Sequence, residues 1–323
     1  MKSVVLTGAA GFIGRLCMPV LRERGYVVHT VSRRSERTTA PDVVSHQADL
    51  LDGAQVKTLM RAVQPSHLLH LAWYSEPGKY WTSSANWQWR DASIELTRAF
   101  VECGGRRLVV AGSCAEYDWR HSYCAEDRTP TGPTTPYGIA KHELQRAVSA
   151  HAAATGISQA WARIFLLYGP GEHPLRLVAS AILACLRGEP TRCSHGEQVR
   201  DFLHVADVAS ALVALLDSDL KGPVNVASGA PTRIKDVVRE VGQATGRPDL
   251  IRFGDIPAPD GEPRELLADV SRLRAELQWA PRYDLQTGIR DAVTWWRKAL
   301  ATAGEQGLPG PGGAAVGAET AET

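Results

Sequence analysis

The chain opens with the stretch VVLTGAAGFIG at residues 4–14, which decides the fold. An apolar run of strand length leads into Gly8, Gly11 and Gly14, and an apolar helical pattern follows. In a strand–loop–helix unit, the first glycine makes the tight turn, and the second lets backbone N–H groups approach a phosphate. The third lets the helix pack closely against the strand. The stretch therefore predicts an anion-binding turn at the start of a βαβ unit.

The helix after these glycines, predicted to run to about Arg24, strengthens this prediction. Unpaired N–H groups and the helix dipole make a helix N-terminus a favourable place for a pyrophosphate. Phe12 and Ile13 lie in the same loop and are assigned to the cofactor site with the glycines. Glycine-rich turns often serve only backbone geometry, but this one lies between a strand at the start of the chain and a helix. We therefore predict dinucleotide binding.

Composition narrows the class of protein. A chain of 323 residues can bury a large core as one α/β domain or two smaller ones. A formal net charge of +1 points to neither nucleic acid nor a membrane surface as a partner, and residues 3–7 already resemble a strand, which argues against a signal peptide. The six cysteines form no CxxC pair and no metal-like cluster, so we expect reduced thiols, no metal site and a cytoplasmic location.

The end of the second predicted strand, at residues 26–31, bears on the choice of dinucleotide. In this fold an acidic residue there hydrogen-bonds the ribose 2′-hydroxyl of NAD, whereas an arginine accommodates the 2′-phosphate of NADP. The strand is followed by Ser32, Arg33 and Arg34, with no acid. NADP(H) is therefore favoured, with NAD(H) as the other possibility. The alternative interpretation is a solvated basic loop, to which Arg37 also belongs.

Strands and helices alternate along most of the chain. Further strands are predicted at 43–48, 67–72, 107–112, 159–167, 199–203 and 222–227. Helices are predicted at 53–63, 87–103, 135–154, 175–187, 206–216, 234–245, 270–277 and 285–300. This alternation predicts an α/β fold with a doubly wound, parallel Rossmann sheet and a smaller C-terminal substrate-binding region.

The predicted division of the chain follows from where this alternation loosens. Residues 1–168 form the NAD(P)-binding domain, to which residues 198–227 return. Residues 169–197 and 228–303 form the substrate-binding region. Residues 304–323 are rich in Gly, Ala, Pro and Glu without periodicity, so we expect a disordered tail.

An aromatic segment at residues 73–89 stands out. It holds six large aromatic residues, namely Trp73, Tyr74, Tyr80, Trp81, Trp87 and Trp89. Such side chains can cover a sugar or a nucleobase, or they can pack in the core or between subunits. The sequence favours neither interpretation.

The candidate residues for proton transfer are Tyr137 and Lys141, which lie one turn apart on the same face of the predicted helix at 135–154. A phenol has a pKa near 10, and a neighbouring cation should lower it, so that the tyrosine can exchange a proton with a substrate. Ser113, at the end of the preceding predicted strand, can hold the same oxygen. A Tyr-x-x-x-Lys pair alone is often only a surface pair, but here it comes with Ser113 and the glycine loop.

Taken in order, the motifs of residues 1 to about 300 resemble an extended short-chain dehydrogenase/reductase of the nucleotide-sugar epimerase/dehydratase type. The matching segments are TGAAGFIG (7–14), AD (48–49), HLA (70–72), AGSCAEYD (111–118), YGIAK (137–141), RIFLLYGPG (163–171), RDFLHVADVA (200–209), NVASG (225–229) and RELLAD (264–269). The resemblance implies NAD or NADP as cofactor, hydride transfer at a sugar carbon, and a homodimer formed through the helices at 87–103 and 136–154.

The resemblance also implies roles for single residues. Ser113, Tyr137 and Lys141 match the catalytic triad. The cofactor site is completed beside the AD and HLA motifs by Asp49, which can reach the adenine amino group, and by Leu50, Leu71 and Ala72. The substrate site comprises Ser113, Cys114 and two arginines that match the diphosphate-binding pair, Arg200 and Arg264. Guanidinium groups suit a diphosphate because of their bidentate geometry, although structural salt bridges are the alternative for both.

Departures from the family pattern argue against one type of reaction in the family. Dehydratases of this type carry an Asp-Glu pair directly after the catalytic hydroxyl, where this chain has Cys114 and Ala115. Alanine cannot transfer a proton, so elimination of water is not expected. Leu166 and Trp89 replace asparagines of the family pattern, which leaves the sugar unspecified.

Two enzymatic activities fit the triad. A reductase would deliver a hydride from NADPH to a 4-keto-6-deoxyhexose carried on a nucleotide, with dTDP as the expected nucleotide. A 4-epimerase would hold NAD, oxidise carbon 4 and reduce it again from the other face. The arginines after the second strand favour the reductase. A catalytically silent NAD(P)-sensing protein is disfavoured because the Tyr/Lys pair is intact.

Overall fold

The computed structural model of the protein describes residues 2–34, 40–258 and 261–303. Arg37 of the predicted basic loop and the expected disordered tail at 304–323 lie outside these residues. Strands and helices are numbered in chain order along the whole chain.

Seven parallel strands form the main sheet in the order β3-β2-β1-β4-β5-β7-β11. They are β1 (Lys2–Thr7), β2 (Tyr26–Ser32), β3 (Val43–Gln47), β4 (His67–His70), β5 (Arg107–Ser113), β7 (Ser158–Ile164) and β11 (Gly222–Val226). The central strands are buried on both faces, which is why they appear in the sequence as continuous apolar runs rather than alternating ones. This is the predicted doubly wound Rossmann sheet.

Helices cover both faces of this sheet, and each face has its own apolar core. One core takes side chains from α1 (Gly14–Glu23) and α6 (Val205–Asp217). The other takes them from α2 (Gly53–Val63), α3 (Ala85–Glu102) and α4 (Pro136–Thr155). The crevice of such a sheet lies where the strand order reverses, beyond the carboxyl ends of β1 and β4.

A second region contains the remaining elements. Its strands are β6 (Tyr123–Cys124), β8 (Leu166–Tyr168), β9 (Thr191–Cys193), β10 (Val199–His204), β12 (Pro231–Arg233), β13 (Ile251–Phe253) and β14 (Glu265–Ala268). Its helices are α5 (Leu177–Arg187), α7 (Ile234–Thr245), α8 (Ser271–Ala275) and α9 (Leu285–Ala303). β12, β10, β14 and β6 form one sheet, to which β8 adds by pairing with β10, and β9 pairs with β13. A third core joins α5, α7 and α9.

Two sequence predictions are corrected here. The single strand predicted at 159–167 is two strands, because the Phe165 N–H bonds to the Val226 carbonyl oxygen (3.1 Å) and the chain then leaves the main sheet for β8. The segment 198–227 does not return to the main sheet as a whole. Only α6 and β11 do so, whereas β10 pairs with β8, β12 and β14.

Candidate active site

The three glycines of the first loop pack against backbone, so side chains there would have no room. Gly8 has a φ of +71°, and a Cβ on it would lie 3.0 Å from the Ala72 nitrogen. The Gly11 N–H bonds to the Gly8 carbonyl oxygen (2.9 Å), and a Cβ on Gly14 would collide with that same carbonyl. The loop is therefore a bare backbone cradle at the end of β1.

The N-terminus of α1 opens onto this cradle. Ile13 is its N-cap, and no side chain among the described residues caps the first turn. Phe12 lies beside Ile13 in the same loop. The second residue of α1, Arg15, was not among the predicted site residues. The Arg15 guanidinium donates to the Pro170 carbonyl oxygen and lies over the Phe12 ring (5.6 Å). Uncapped N–H groups at a helix start suit the phosphates of a dinucleotide.

At the adenosine end, Arg33 and Arg34 follow β2 and are exposed. Gln47 at the end of β3 donates to the Arg33 carbonyl oxygen (3.2 Å). Asp49 lies nearby, and one of its carboxylate oxygens already accepts from the Leu51 N–H (3.0 Å). The buried side chain of Leu50 comes next. The arginines are thus free of the core, which fits both a 2′-phosphate contact and a solvated loop.

The HLA segment is tied directly to the glycine loop. The Thr7 hydroxyl at the end of β1 accepts from the N–H groups of Leu71 (3.1 Å) and Ala72 (3.2 Å). It also hydrogen-bonds the buried His70 ring (2.7 Å), whose pKa burial lowers to about 3, so that the ring is uncharged. These bonds fix the two strand ends on either side of the crevice.

The first turn of α4 presents Tyr137 to the end of β5, where Ser113 lies. Pro136 suits the first helical position, and Thr135 caps the helix by accepting from the Gly138 N–H (3.1 Å). Gly138 permits a close approach, since a Cβ there would meet the Ala115 carbonyl oxygen. The structure therefore brings the predicted serine and tyrosine together.

Lys141 lies one turn further along α4 and is 4% exposed. Its ammonium donates to the Ala111 carbonyl oxygen (2.9 Å) on β5 and lies 3.8 Å from the centre of the Trp73 ring. Both contacts stabilise a positive charge. The ammonium lies 6.0 Å from the centre of the Tyr137 ring, so the predicted pair shares one small volume.

Burial has the largest effect on the pKa values of both Tyr137 and Lys141. It raises the pKa of the Tyr137 phenol above its ordinary value, although a hydrogen bond from Ser113 opposes the rise. Burial also lowers the pKa of Lys141 to about 7, which the nearby Glu116 carboxylate opposes. The expectation that Lys141 lowers the phenol pKa in the protein alone is therefore wrong, because burial disfavours the charged forms of both groups.

The aromatic segment surrounds Tyr137. Three rings meet the Tyr137 ring edge-on, with centroid distances of 6.4 Å for Trp73, 4.9 Å for Tyr80 and 5.4 Å for Trp81. The fully buried Asn86 fixes this arrangement by accepting from the Trp73 indole (2.9 Å) and donating to the Tyr80 carbonyl oxygen (2.6 Å). The buried indole N–H of Trp81 has no hydrogen-bond partner among the described residues. Part of the segment thus lines the site.

The predicted substrate residues are Cys114, next to Ser113, and two arginines of the second region. Cys114 is buried, which raises the pKa of its thiol to about 12, and the positive charge of Arg200 acts on that thiol in the opposite direction. Arg200 is 4% exposed and donates to the Val199 carbonyl oxygen (2.9 Å), with Glu262 3.6 Å away. Arg264, directly before β14, is exposed. Arg200 and Arg264 are thus near each other through the backbone but differ in burial.

A cavity of about 340 Å³ lies beside these residues. Its walls include Ala115, Trp119, Thr135 and Pro263. In the described part of the chain, no His/Cys/Asp/Glu group of three or more could hold a metal ion. Nor does any helix of residues 2–34, 40–258 and 261–303 have the length and apolar character needed to cross a membrane.

Comparison with known families matches residues 4–227 to the NAD dependent epimerase/dehydratase family. The chain belongs to this family. The matched residues include the glycine cradle, Ser113, Tyr137, Lys141 and Arg200. The protein is accordingly a nucleotide-sugar-modifying enzyme of the epimerase/dehydratase type.

The similar proteins match this chain over almost its whole length. The UDP-glucose 4-epimerase of Azospirillum brasilense is 26% identical, with 95% of each chain covered. The structure of MoeE5 in complex with UDP-glucose and NAD is 32% identical with a TM-score of 0.80, covering 93% of this chain and 100% of that one. The NAD complex of the Thermus thermophilus UDP-glucose 4-epimerase is 25% identical with a TM-score of 0.80, covering 92% and 100%. The expected preference for NADP(H) finds no support in these relatives.

Several residues of the epimerase/dehydratase site were missed from the sequence. Glu116 is fully buried beside Ser113, and Asn86 holds the aromatic rings. Ser-x-x-Glu at 113–116 has the spacing of a capping box, a signal that was present in the sequence. No comparable local signal marks Asn86, because its partners depend on how the loop folds back.

Proposed function

We propose that this protein is an NAD-dependent nucleotide-sugar 4-epimerase, and that its substrates are UDP-hexoses. The observation that carries the proposal is Tyr137 lying against Ser113 in a site whose neighbouring residues, Cys114 and Ala115, offer no acid–base pair. Epimerisation at carbon 4 needs one group that first takes a proton from a hydroxyl and then returns it to the same oxygen. A single phenol suffices for both steps.

The residues present fit NAD. The glycine cradle has no room for a side chain, and α1 begins without a side-chain cap among the described residues. Both features leave backbone N–H groups for a pyrophosphate. We assign Gly8, Gly11, Phe12, Ile13 and Gly14 to that contact. The remaining cofactor residues we assign are Arg33, Arg34, Asp49, Leu50, Leu71, Ala72, Tyr137 and Lys141.

Bound NAD would supply the acceptor and donor of the hydride, together with a positive charge in its oxidised form. Tyr137 would remove the proton from the sugar hydroxyl and later return it to the same oxygen. Ser113 would orient that oxygen, and Lys141 would hold the cofactor ribose and stabilise the phenolate. The unpartnered indole N–H of Trp81 would donate to a sugar hydroxyl. Arg200 and Arg264 would bind the diphosphate.

Elimination of water is a poor fit to the same site. It requires an acid and a base beside the catalytic hydroxyl, and Ala115 can supply neither. The Cys114 thiol, with a pKa raised to about 12 by burial, is a poor proton donor and is uncharged at neutral pH. The sequence argument against a dehydratase is therefore strengthened by the burial of this thiol.

One observation favours a second candidate, the NADPH-dependent 4-ketoreductase. Arg33 and Arg34 are exposed at the end of β2, where a 2′-phosphate would lie. A reductase must exchange its cofactor in every turnover, so reading the 2′-phosphate at the rim would serve it. The site residues would keep the same roles, with Tyr137 only donating a proton.

The deciding experiment follows the cofactor. Purified protein is incubated with UDP-glucose, UDP-galactose or UDP-glucuronic acid with and without added NAD, and the products are separated by chromatography. The epimerase proposal expects two 4-hydroxy sugars to interconvert with no net change at the nicotinamide absorbance band. Stoichiometric loss of NADPH with a dTDP-4-keto-6-deoxyhexose, without such interconversion, would replace the epimerase by the reductase.

We further propose that the region of the main sheet binds the cofactor. Residues 169–197 and 228–303 would form much of the substrate site. We also propose a homodimer formed through α3 and α4, and a cytoplasmic location. The two helices pack against each other and leave a cavity of about 310 Å³ whose walls include Ile94, Thr97, Ala147 and His151.

A further inference from the structure

We propose that Glu116 is the positioning residue of this site, holding Ser113 in its reactive orientation and balancing the buried positive charges beside Tyr137. The inference rests on the proposed function, because the roles of Ser113 and Tyr137 come from it. Glu116 touches neither substrate nor cofactor in this proposal and acts only through its neighbours.

Both carboxylate oxygens of Glu116 accept hydrogen bonds from buried neighbours. The residue has no exposed surface. Its Oε1 accepts from the Ser113 backbone N–H (2.7 Å), and both oxygens accept from the Trp161 indole N–H (2.9 Å). Its Oε2 accepts from Arg163 Nε (3.0 Å). A buried carboxylate is tolerated only when its lone pairs are satisfied and its charge is paired, and both conditions hold here.

The same turn fixes the direction of the Ser113 hydroxyl. The Ser113 Oγ accepts from the Ala115 N–H (3.2 Å), while Glu116 reaches back to the Ser113 N–H. A hydroxyl has one donor and two lone pairs, so one donor and one lone pair remain. The Tyr137 phenol lies within reach of this hydroxyl, since hydrogen bonding by Ser113 acts to lower the phenol pKa. Glu116 thereby sets the backbone from which Ser113 reaches Tyr137.

Neighbouring strands deliver the partners of Glu116. β7 pairs with β5 in a register that sets Trp161 opposite Val110 and Arg163 opposite Gly112. A Cβ on Gly112 would collide with the Trp161 indole and the Glu116 carboxylate. The glycine therefore leaves space for the carboxylate directly beneath the strand end that carries Ser113.

Glu116 also influences the charges around the site. Burial is the largest effect at both groups, but the negative charge of Glu116 raises the pKa of Lys141 and that of Tyr137. Cys114 and Arg176 act on Tyr137 as well, in opposite directions. The other groups that feel these charges are His70, Arg163 and His142.

The first test replaces Glu116 by glutamine, which matches its size. The carbonyl oxygen of glutamine can accept from Ser113, but its NH₂ group cannot accept from Trp161 or Arg163. In Glu116→Gln we expect kcat to fall about 10- to 100-fold while KM changes less than about 3-fold. The rising limb of kcat against pH should move to lower pH, because removing the negative charge lowers the pKa of Tyr137.

Two further variants separate position from charge. Glu116→Asp keeps the charge but shortens the reach to Ser113, so kcat should stay low while the pH limb keeps its wild-type position. Glu126→Gln removes a charge from a half-buried glutamate that accepts from the Asn225 N–H (2.7 Å), and should leave both kcat and the limb unchanged. A lower melting temperature in Glu116→Gln with wild-type kcat and pH profile would mean a purely structural role and would overturn the proposal.

A double-mutant cycle tests whether Glu116 acts through Ser113. In a Ser113→Ala background, Glu116→Gln should lower kcat by less than about 3-fold, because the group it positions is already gone. If the loss of kcat in the double variant equals the product of the losses in the two single variants, Glu116 does not act through Ser113 and the proposal is overturned. The cycle uses the epimerase assay, or the reductase assay if that activity is the one found.

A spectroscopic readout separates this proposal from the proposed function. In protein labelled at lysine Cε, the NMR titration of Lys141 should shift to lower pH in Glu116→Gln and keep its wild-type position in Glu126→Gln. Wild-type protein that is inactive on all the sugars would defeat the proposed function, while a shifted titration would still support the charge balance. An unshifted titration of Lys141 in folded Glu116→Gln would overturn the proposed charge balance. If Glu116→Gln does not fold, Glu116→Asp takes its place, and a pH limb of kcat shifted to lower pH in that variant would overturn the charge balance.

Discussion

Tyr137 is the residue on which the proposed chemistry depends, and its surroundings work against its ionisation. Burial raises the pKa of its phenol, so the hydroxyl stays protonated at neutral pH in the protein alone. We therefore expect proton exchange at Tyr137 to need the positive charge of a bound oxidised cofactor.

Replacing Tyr137 by phenylalanine removes the hydroxyl and keeps the ring. We expect turnover to fall at least about 100-fold, since this is the contribution of a general acid–base group. NAD affinity, measured by titration, should change little, because the ring contacts with Tyr80 and Trp81 remain. Turnover close to wild type would assign proton transfer to another residue.

The burial of Lys141, which the proposed function needs, should lower the stability of the protein. Its pKa is about 7 in the folded protein against 10.5 for a free lysine. Between these values the unfolded chain binds a proton that the folded chain does not, so this lysine lowers the stability as pH falls from about 10.5 to about 7. Below that range its effect is level.

We therefore expect Lys141→Met to raise the free energy of unfolding at pH 7 by about 1–3 kcal/mol while abolishing activity. Part of the gain is offset by losing the hydrogen bond to Ala111. Urea denaturation at pH 7 and pH 10 measures it, and the gain should shrink at the higher pH. Lys57→Met, on the surface of α2, is the matched control and should show no such difference. A gain of equal size at both pH values would contradict the titration argument.

At the scale of single elements, the starts of α1 and α2 offer a matched comparison of two glycines. Each glycine is the first residue of its helix. A Cβ on Gly14 would collide with the Gly8 backbone, whereas a Cβ on Gly53 would have no heavy atom within 4 Å. Only the first position therefore depends on having no side chain.

Gly14→Ala should lower the free energy of unfolding by about 2 kcal/mol or more, because backbone cannot move aside as a side chain can. It should also weaken NAD binding, since the loop must shift. Gly53→Ala should be neutral or stabilise by up to about 1 kcal/mol. Thermal unfolding with and without NAD measures both variants. Equal effects of the two substitutions would show that α1 does not need its close contact with β1.

Local spacing explains which elements could be predicted. Gly8 to Gly14, Tyr137 and Lys141 each belong to a pattern contained within one turn or one helix, and the structure places them as expected. The main sheet followed from apolar runs of strand length. The departure of the chain at Phe165 could not be predicted, because nothing local distinguishes the two halves of the run at 159–167.

Contacts between distant segments account for the rest. Glu116 is satisfied by Trp161 and Arg163, which lie 45 and 47 residues away. The short strands β6 and β12 have two and three residues, too few for a period to emerge. Whether the aromatic segment would line the site or the core depended on Asn86, whose bonds form only once the loop has folded back.

At the scale of the whole molecule, Arg15 connects the cofactor cradle to the second region. Its guanidinium donates to the Pro170 carbonyl oxygen and lies 5.8 Å from the centre of the Trp295 ring on α9. A residue in the first turn of α1 thus contacts both the loop after β8 and α9. Arg15 therefore joins the start of α1 to the second region through direct contacts.

The proposed dimer is tested on the outer face of α4. Ala150 is exposed there, next to the half-buried Ala147. Wild-type protein should sediment at about twice the chain mass of 35.0 kDa, and Ala150→Glu should sediment as a monomer because it places a charge in the contact. Ala301→Glu, at an exposed alanine of α9, should remain a dimer. A monomeric wild type would refute the dimer.

Asn86 has a consequence for how new substrate ranges can arise. Because one buried amide holds both the Trp73 indole and the Tyr80 backbone, we expect a change at Asn86 to displace both of these residues together. The cavity wall at Pro263 carries no such shared anchor in the contacts described above. Selection for a different sugar, in nature or in a mutant library, should therefore accumulate substitutions at Pro263 rather than among the aromatic residues that Asn86 holds.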